Sequence, residues 1–552
     1  MSSAADKVTF EESIDQQDNS VLFQSKKYTY ITDSSSNNGQ FSGQLIFDLN
    51  TLSAQSQFVD LKEAIIQFPV KLSIKNAGTV GTTSNAAGIL SATIKNGFHQ
   101  FVDSVQVVLG GQTVQSSQIF CNINTNYKIL STWSKDTLQK YGDTLGVALD
   151  DWQVTNDTAA GVTDSLDNAA PVNTVGGFDI TYGKNAGFKT RQLMNNSNSA
   201  SNTLGKSILG TSQNVIGKSN VQIGTSKVAN EDLFVMYLMG TIRLKDISDF
   251  CANMPVCKNI KGFIYVNYNS STHTILPTNG ATTIASITDS TTYGRCAPAQ
   301  LNVGVDGYVV TSNASNAASI FTAEISGKES GNLTIAKPIT TNARLVAPYF
   351  ICNPQVDRAL TQRKKFRYNE VFTTQFSMTA GQNFNGTLTP GITNPTRVIL
   401  YPYFTGPDSA NQNSTFVTNP LISALDGVPS TTSPFAAIKD LQFYVGNLPI
   451  FQSVTNYDGD NWLQEISTQG VDGGLNNEVS SGLLSARQFN QLYRYYTVDV
   501  SRRLDPSEDG CSRSIIVSCT NATLCPMNVI AIIWYQKEVE IDTASGLIEQ
   551  KR

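Results

Sequence analysis

Two short residue patterns occur twice in this 552-residue chain, in the same order and at constant spacing. Asp103, Gln115 and Ser116 recur as Asp440, Gln452 and Ser453 at an offset of 337 residues, each set bracketing strand, Gly-containing turn and strand. Arg243-Leu244, Asp249 and Cys251 recur as Arg503-Leu504, Asp509 and Cys511 at an offset of 260. The offsets differ by 77 residues, close to the length of a polar stretch, 154–231, that precedes the second pattern in the first half only. A chain that repeats itself in this way folds as two copies of one unit. Its length, too great for one ordinary core, agrees.

Each copy reads as β-structure. Near the end, Tyr495–Ser501, Ser514–Thr520 and Val529–Tyr535 are rich in β-branched, aromatic or wholly apolar residues, with Gly510 and Pro526 between them. Val529–Tyr535 is predicted to be a strand buried on both faces, with Ile532 deep in the second unit. In the first half Gln44–Leu49, Leu61–Leu72, Asp103–Val114, Leu233–Leu244, Gly262–Tyr268, Leu301–Thr311 and Arg344–Cys352 carry strand signal. In the second, Val371–Thr379, Arg397–Phe404 and Leu441–Phe451 follow in the same order. Ile119–Asp151 has a helical pattern, and 154–231 is dense in Asn, Ser, Thr, Gly and Ala, as in a long surface loop. About eight short strands per copy with long polar loops is the pattern of a two-sheet sandwich or jelly roll.

Composition narrows the function. Charged residues are 15% of the chain and the formal net charge is −5, which supports no chain-wide polyanion binding. The opening MSSAADKVTFEES has neither a basic n-region nor an apolar h-region, so no secretion leader is expected. Ser514–Gln536 is free of charge, but Ser518–Thr523, Pro526 and Asn528 interrupt it, so two strands and a loop are expected there and a soluble chain overall. The eight cysteines form no CxxC and are expected to be reduced core thiols. There is no GxSxG, Walker A loop, GxGxxG or HExxH. The two histidines, His99 before a strand and His273 in a polar loop, are expected at the surface. Asp458 and Asp460, in Tyr457–Trp462, lack a full calcium-loop spacing and read as a turn. No catalytic, cofactor-binding or metal residue is assigned, and no enzyme is expected. The strongest basic cluster, Arg358–Arg367, with Arg363, Lys364, Lys365 and Arg367 at its heart, reads as a solvated connector, with nucleic-acid contact as the alternative.

Asp440–Asn447, Leu345–Phe350, Tyr495–Arg502 and the closing Asn528–Asp542 resemble segments of the double jelly-roll major capsid proteins, most nearly those of Polinton-like viruses and virophages. The resemblance spans the chain from about Lys26, except 154–231, and is one of fold and pattern with no single diagnostic motif. It implies an all-β chain of two tandem eight-stranded jelly rolls with long loops and a few short helices. The expected division is an arm at 1–25, a first jelly roll at 26–357 with the 154–231 insertion, a linker at 358–370 and a second jelly roll at 371–552. By the same resemblance three chains would form a pseudo-hexameric capsomer of an icosahedral virion shell around double-stranded DNA, assembled inside the host cell. Its partners would be other copies of itself, a penton protein and minor capsid proteins. Weak contact with genomic DNA or an internal membrane on the inner face, and host-cell contact through the outer loops, would follow. The 154–231 loop would be exposed outside, and the arm and the C-terminal GLIEQKR would lie inside or bridge capsomers. Two other readings stand beside it: a secreted or cell-surface β-sandwich adhesin or glycan-binding protein, and a parvovirus-like capsid protein with a single jelly roll.

Overall fold

A computed structural model describes the chain from Phe23 to Lys551 except residues 37, 54–56, 78–84, 152–173, 176–177, 180–184, 195–212, 217–218, 224–227, 278–283, 304–309, 314–317, 354–360, 406–418, 425–427, 429, 470–477 and 504–510. Most of the expected arm, much of 154–231, the start of the expected linker, and Leu504 and Asp509 of the repeated pattern therefore lie outside the described residues.

In the first half the strands β1 (Phe23–Thr32), β2 (Gln44–Asp48), β3 (Ile65–Asn76), β4 (Val102–Leu109), β5 (Gln112–Gln115), β6 (Asp232–Arg243), β7 (Gly262–Tyr268) and β8 (Arg344–Cys352) make two antiparallel sheets. Their orders are β1-β8-β3-β6 and β2-β7-β4-β5. In the second half come β9 (Arg363–Met378), β10 (Asn383–Thr393), β11 (Pro395–Phe404), β12 (Ile438–Val445), β13 (Leu448–Pro449), β14 (Tyr496–Asp499), β15 (Ser512–Asn521) and β16 (Met527–Asp542). These pair as β9-β16-β11-β14 and β10-β15-β12-β13. Adding eight to every label of the first pair of sheets gives the second pair. First beside last, and third beside sixth, is the winding of a jelly roll, and the chain contains it twice. A single jelly roll with long insertions is thereby ruled out.

Local chemistry accounts for the elements. Along β7, Ile264, Val266 and Tyr268 are buried while Phe263, Tyr265 and Asn267 are half-exposed, the alternation of a strand with one face on a core. In β16, which lies between β9 and β11, Val529 to Trp534 is buried without a break, Trp534 meeting Tyr127 and Asn124 of the first barrel. The β4–β5 hairpin turns on Gly110-Gly111, both with positive φ (58° and 81°), and β12–β13 turns on Gly446-Asn447 with the same signs (53° and 71°). Such a two-residue turn suits the twist of antiparallel strands. Helices repeat as well. Between β5 and β6 lie α1 (Cys121–Thr132) and α2 (Lys135–Leu145), and later in the same connection α3 (Ala186–Met194). After β6 comes the short α4 (Asp249–Asn253), and between β13 and β14 lie α5 (Gly459–Ser467) and α6 (Ala486–Gln491).

Several expectations are corrected. The connector expected at 358–370 is already strand from Arg363, because Lys364 to Tyr368 alternates and pairs in register with β16. The loop expected to be exposed at 154–231 has a buried part: Asn185, Phe188 and Arg191, at 1%, 1% and 0% exposure, pack into the core. The C-terminal tail pairs with its own sheet, Ile548–Lys551 against Glu538–Ile541. Leu301–Thr311, expected as one strand, contributes Ala299–Val303 and Val310–Asn313 to a small sheet outside the jelly-roll winding. Both histidines are buried: His99 in a turn of 3-10 helix, Phe98–Phe101, and His273 inside the strand Ser270–Pro277. Burial pulls each imidazole down to about 3, so both are neutral near pH 7.

Candidate functional site

The most heavily built region is the seam between the two barrels, and three clusters make it. The first is α1. Its Tyr127 is fully buried among aromatic rings of the second barrel, 5.6 Å from Trp534, 5.8 Å from Trp462 and 6.0 Å from Tyr495, the two Trp contacts near perpendicular. Edge-on packing places the positive rim of one ring on the negative face of the next. The Tyr127 hydroxyl donates to Gln469 Oε1 at 2.8 Å and lies 2.9 Å from Thr497 Oγ1. Asn126 Nδ2 donates to the Tyr495 hydroxyl, and Trp534 Nε1 donates to Asn124 Oδ1, each at 2.8 Å. Burial pushes the Tyr127 phenol upward, so it stays a neutral donor.

The second cluster covers an edge. Strand β9 is the outermost of its sheet, and an uncovered edge invites pairing with another chain. Here the first barrel closes it. Phe250 of α4 packs 5.4 Å from Phe366 and 5.2 Å from Tyr368. The Tyr368 hydroxyl donates to the Val114 carbonyl at 2.6 Å, and the Asn369 amide donates to Asp249 Oδ2 at 2.7 Å. Ser116 donates to Glu370 Oε1 through its amide and its hydroxyl, at 2.8 and 2.6 Å, while Tyr535 donates to Glu370 Oε2 at 2.8 Å. Burial alone would raise the Glu370 carboxyl, but Lys537 and Ser116 outweigh it and hold the group below the usual glutamate value.

The third cluster ties the insertion to both barrels. Arg191 of α3 lies 2.7 Å from Asp150 Oδ1 with neither side chain exposed. Its remaining donors reach the Ala148 carbonyl at 2.7 Å, the Ile94 carbonyl at 2.9 Å and Gln300 Oε1 at 2.9 Å. Asp150 in turn accepts from the Ser430 amide at 2.6 Å, and its carbonyl accepts from the Tyr493 hydroxyl at 2.7 Å. Lys95 Nζ donates to the Pro420 and Leu421 carbonyls, and Gln300 Nε2 to the Val428 carbonyl.

A seam of this kind holds two bodies in one orientation, because each buried polar group would lose its partner on sliding. Its carboxylates, Asp150, Asp249 and Glu370, are all engaged as acceptors. The cavity along it, lined by Ser116, Asn124, Lys128, Asp249 and Glu370, measures about 30 Å³, room for water and little more.

No family model matches the chain, and no curated protein matches its sequence. Among solved structures it is similar to that of the Sputnik virophage, at a TM-score of 0.48 and 10% identity, over 96% of this chain and 89% of that one. It is similar also to the mavirus major capsid protein (TM-score 0.45, 10% identity, 95% and 90% covered) and to the PBCV-1 virus capsid (0.41, 10%, 96% and 98%). The likeness is one of fold. The two jelly rolls themselves are read from the sheet orders of this chain.

The residues singled out in the sequence fall as follows. Arg363, Lys365 and Arg367 stand directly across from Asp542, Glu540 and Glu538 of β16, with Arg367 Nε 3.1 Å from Glu538. Opposite charges facing each other in a ladder neutralise the cluster locally. Asp458 is the N-cap of α5, accepting from the Asp460 and Asn461 amides, so the stretch expected as a turn is the capping box that starts a helix. Among the described residues no group of three or more His, Cys, Asp or Glu side chains is placed to hold a metal ion. No described helix is long and apolar enough to cross a membrane. Among the described residues no two cysteines form a disulfide; six are buried, Cys352 is half-buried and Cys511 is exposed. Arg243, at the end of β6, pairs with Asp246 and packs over Trp133 and Tyr141. The aromatic residues of the seam were not singled out in sequence. Tyr127 sits in an unremarkable polar helix, CNINTNYKILST, and nothing in its neighbourhood announces the partners supplied from residues 462 to 534.

Proposed function

We propose that this chain is the major capsid protein of a virus, a structural subunit that carries no catalysis of its own. The observation that carries the reading is the repetition itself: two jelly rolls of identical winding, fixed side by side by a buried, hydrogen-bonded seam. A subunit of this shape presents two near-equivalent barrels. Three copies place six barrels around an axis, which gives a homotrimer with a pseudo-hexameric outline. Units of that outline tile an icosahedral shell, here around a double-stranded DNA genome, with a penton protein at the vertices and minor capsid proteins between capsomers. The low charge density suits self-contact, since little charge must be stripped of water when copies meet. In this reading the first-barrel insertions face outward, toward the host surface.

The test is the mass and shape of the purified full chain. Light scattering after gel filtration is expected to give about three times the chain's 59.8 kDa, and electron microscopy of source particles is expected to find the chain in the shell. A monomer at every concentration would overturn the proposal. Specific retention on a glycan array by a monomeric chain would favour an adhesin instead.

A further inference from the structure

The edge strand β9 is covered by the first barrel, whereas its counterpart β1 leaves Tyr28 and Tyr30 exposed among the described residues. The correspondence is explicit: Lys364-Lys365-Phe366-Arg367-Tyr368 of β9 repeats Lys26-Lys27-Tyr28-Thr29-Tyr30 of β1, at an offset of 338 residues. Both strands are the first of their jelly roll and both pair with the last. Yet the ring pair that is buried in one copy is open in the other. Tyr368 is 1% exposed against Phe250, while Tyr30 is 62% and Tyr28 54% exposed. Cations already hold these rings, Arg344 over Tyr30 at 5.2 Å and Lys26 beside Tyr28 at 5.7 Å, so little side-chain freedom remains to be lost.

The surface that covers β9 has a repeat too. In the hairpin register Val114, which receives the Tyr368 hydroxyl, corresponds to Ile450, and in sequence Ser116, which binds Glu370, recurs as Ser453. In the second barrel this surface is open. Ser453 is exposed, and beside it Val454 and Leu448 are 61% and 49% exposed.

We infer that these two open patches bind each other between copies of the chain, with the β1 edge of one subunit seated on the Leu448–Val454 surface of the next, as β9 is seated on the first barrel within a chain. The contact is heterologous, patch to different patch, and so propagates head to tail until it closes. In it Tyr30 takes the place of Tyr368, donating to the Ile450 carbonyl, and Thr32 faces Ser453. The inference rests on the capsid-subunit reading, to which it adds the identity of the contact.

The test places a photoreactive benzoylphenylalanine at position 30 of the full chain and maps the cross-linked peptides. Capture of the 446–456 segment of another subunit is expected. Capture of 23–32, meaning that the tyrosine edges pair with themselves, or of any other segment, overturns the inference. In parallel, Tyr28→Asp with Tyr30→Asp, and separately Val454→Asp, are expected to leave the subunit folded by circular dichroism, since all three positions are exposed, and to weaken association at least about 30-fold, as loss of an aromatic hot spot does. The milder Tyr28→Ser with Tyr30→Ser serves if the charged pair folds poorly. A wild-type trimer that persists in both variants refutes this contact and leaves the capsid reading standing. A wild-type chain that is monomeric throughout refutes both.

Discussion

Replacing Arg191 with methionine tests whether the insertion is part of the rigid body or a decoration. The guanidinium has no exposure and is held by Asp150, two carbonyls and Gln300. Methionine fills much of the same volume, so the cavity term is small. What remains is Asp150, a carboxylate with no exposure that keeps one amide donor from Ser430 and loses its only cation. Removing one partner of a buried ion pair costs about 3–5 kcal/mol, because the other charge stays desolvated. For a chain of this length unfolding as one unit, with an unfolding entropy of about 1.2 kcal/mol/K, that lowers the melting temperature by roughly 3–4 °C. Scanning calorimetry measures it. Adding Asp150→Asn to Arg191→Met removes the orphaned charge and is expected to restore part of the loss, a coupling that a simple packing defect would not produce. Limited proteolysis should cut the α3 segment sooner in the single variant. A single variant that melts within about 1 °C of wild type, and is no better after Asp150→Asn, would refute the claim that this pair locks the seam.

Other outcomes follow from the same geometry. Ile532, fully buried between Thr373 of β9 and Ile399 of β11, tolerates no charge, so Ile532→Asp is expected to abolish folding and assembly, and soluble, normally assembled protein would contradict its placement. Glu370 has its carboxyl held below the ordinary value in the folded chain, so it contributes stability above the unfolded glutamate value of about 4.3 that is lost as pH falls through the lower folded value. Urea titrations between neutral and acid pH should find that part of the acid destabilisation absent in Glu370→Gln. Among the cysteines, burial pushes Cys121 up to about 11 and Cys251 and Cys519 up to about 12, whereas Cys511 is exposed. A thiol reagent followed by peptide mapping should therefore label Cys511 first and the three buried thiols only on unfolding.

The duplication was legible because residues that mark it have structural work in the first copy. Ser116 and Asp249, which mark the repeat, are the groups that bind Glu370 and the Asn369 amide at the seam. Strands with one buried face were legible from alternation, and β16 from its unbroken apolar run. Strand β10 was not. Asn383–Thr393 contains Gly386, Pro390 and Gly391, residues that argue against a central strand. It lies at a sheet edge and its ladder slips twice, at Thr387/Thr389 and Thr389/Ile392, which is where proline and glycine are tolerated. The seam was invisible for a different reason. A helix such as α1 carries no local sign that Trp462, Tyr495 and Trp534 will converge on its Tyr127, because such contacts are set by the docking of two domains. His99 and His273 were misplaced because a lone histidine among polar neighbours looks the same whether a sheet later covers it or not.

The first barrel's insertions are also more than loops hung between strands. Strand β6 has 12 residues, whereas its counterpart β14 has 4. The surplus is used: Phe234 to Leu238 pair with Ser219–Ile223, which pairs in turn with Gln213–Ile216. On the far side of β3, Val70 to Asn76 pair with Ser319–Ile325, a strand from the separate insertion between β7 and β8. That strand carries Ser270–Pro277 and Ile284–Tyr293 beyond it. Two insertions distant in sequence therefore extend one sheet of the jelly roll on either side of β3 and β6. This explains why every residue from Asp232 to Ile242 is buried although β6 would otherwise be the sheet's edge. Val235 and Tyr237, on the face away from the barrel core, are covered by Leu333 and Ala336. An insertion grown in this way adds ladder hydrogen bonds with each strand and leaves the jelly-roll winding unchanged. The second barrel, with a four-residue β14, offers no such template, and that asymmetry gives two barrels of the same winding different ends.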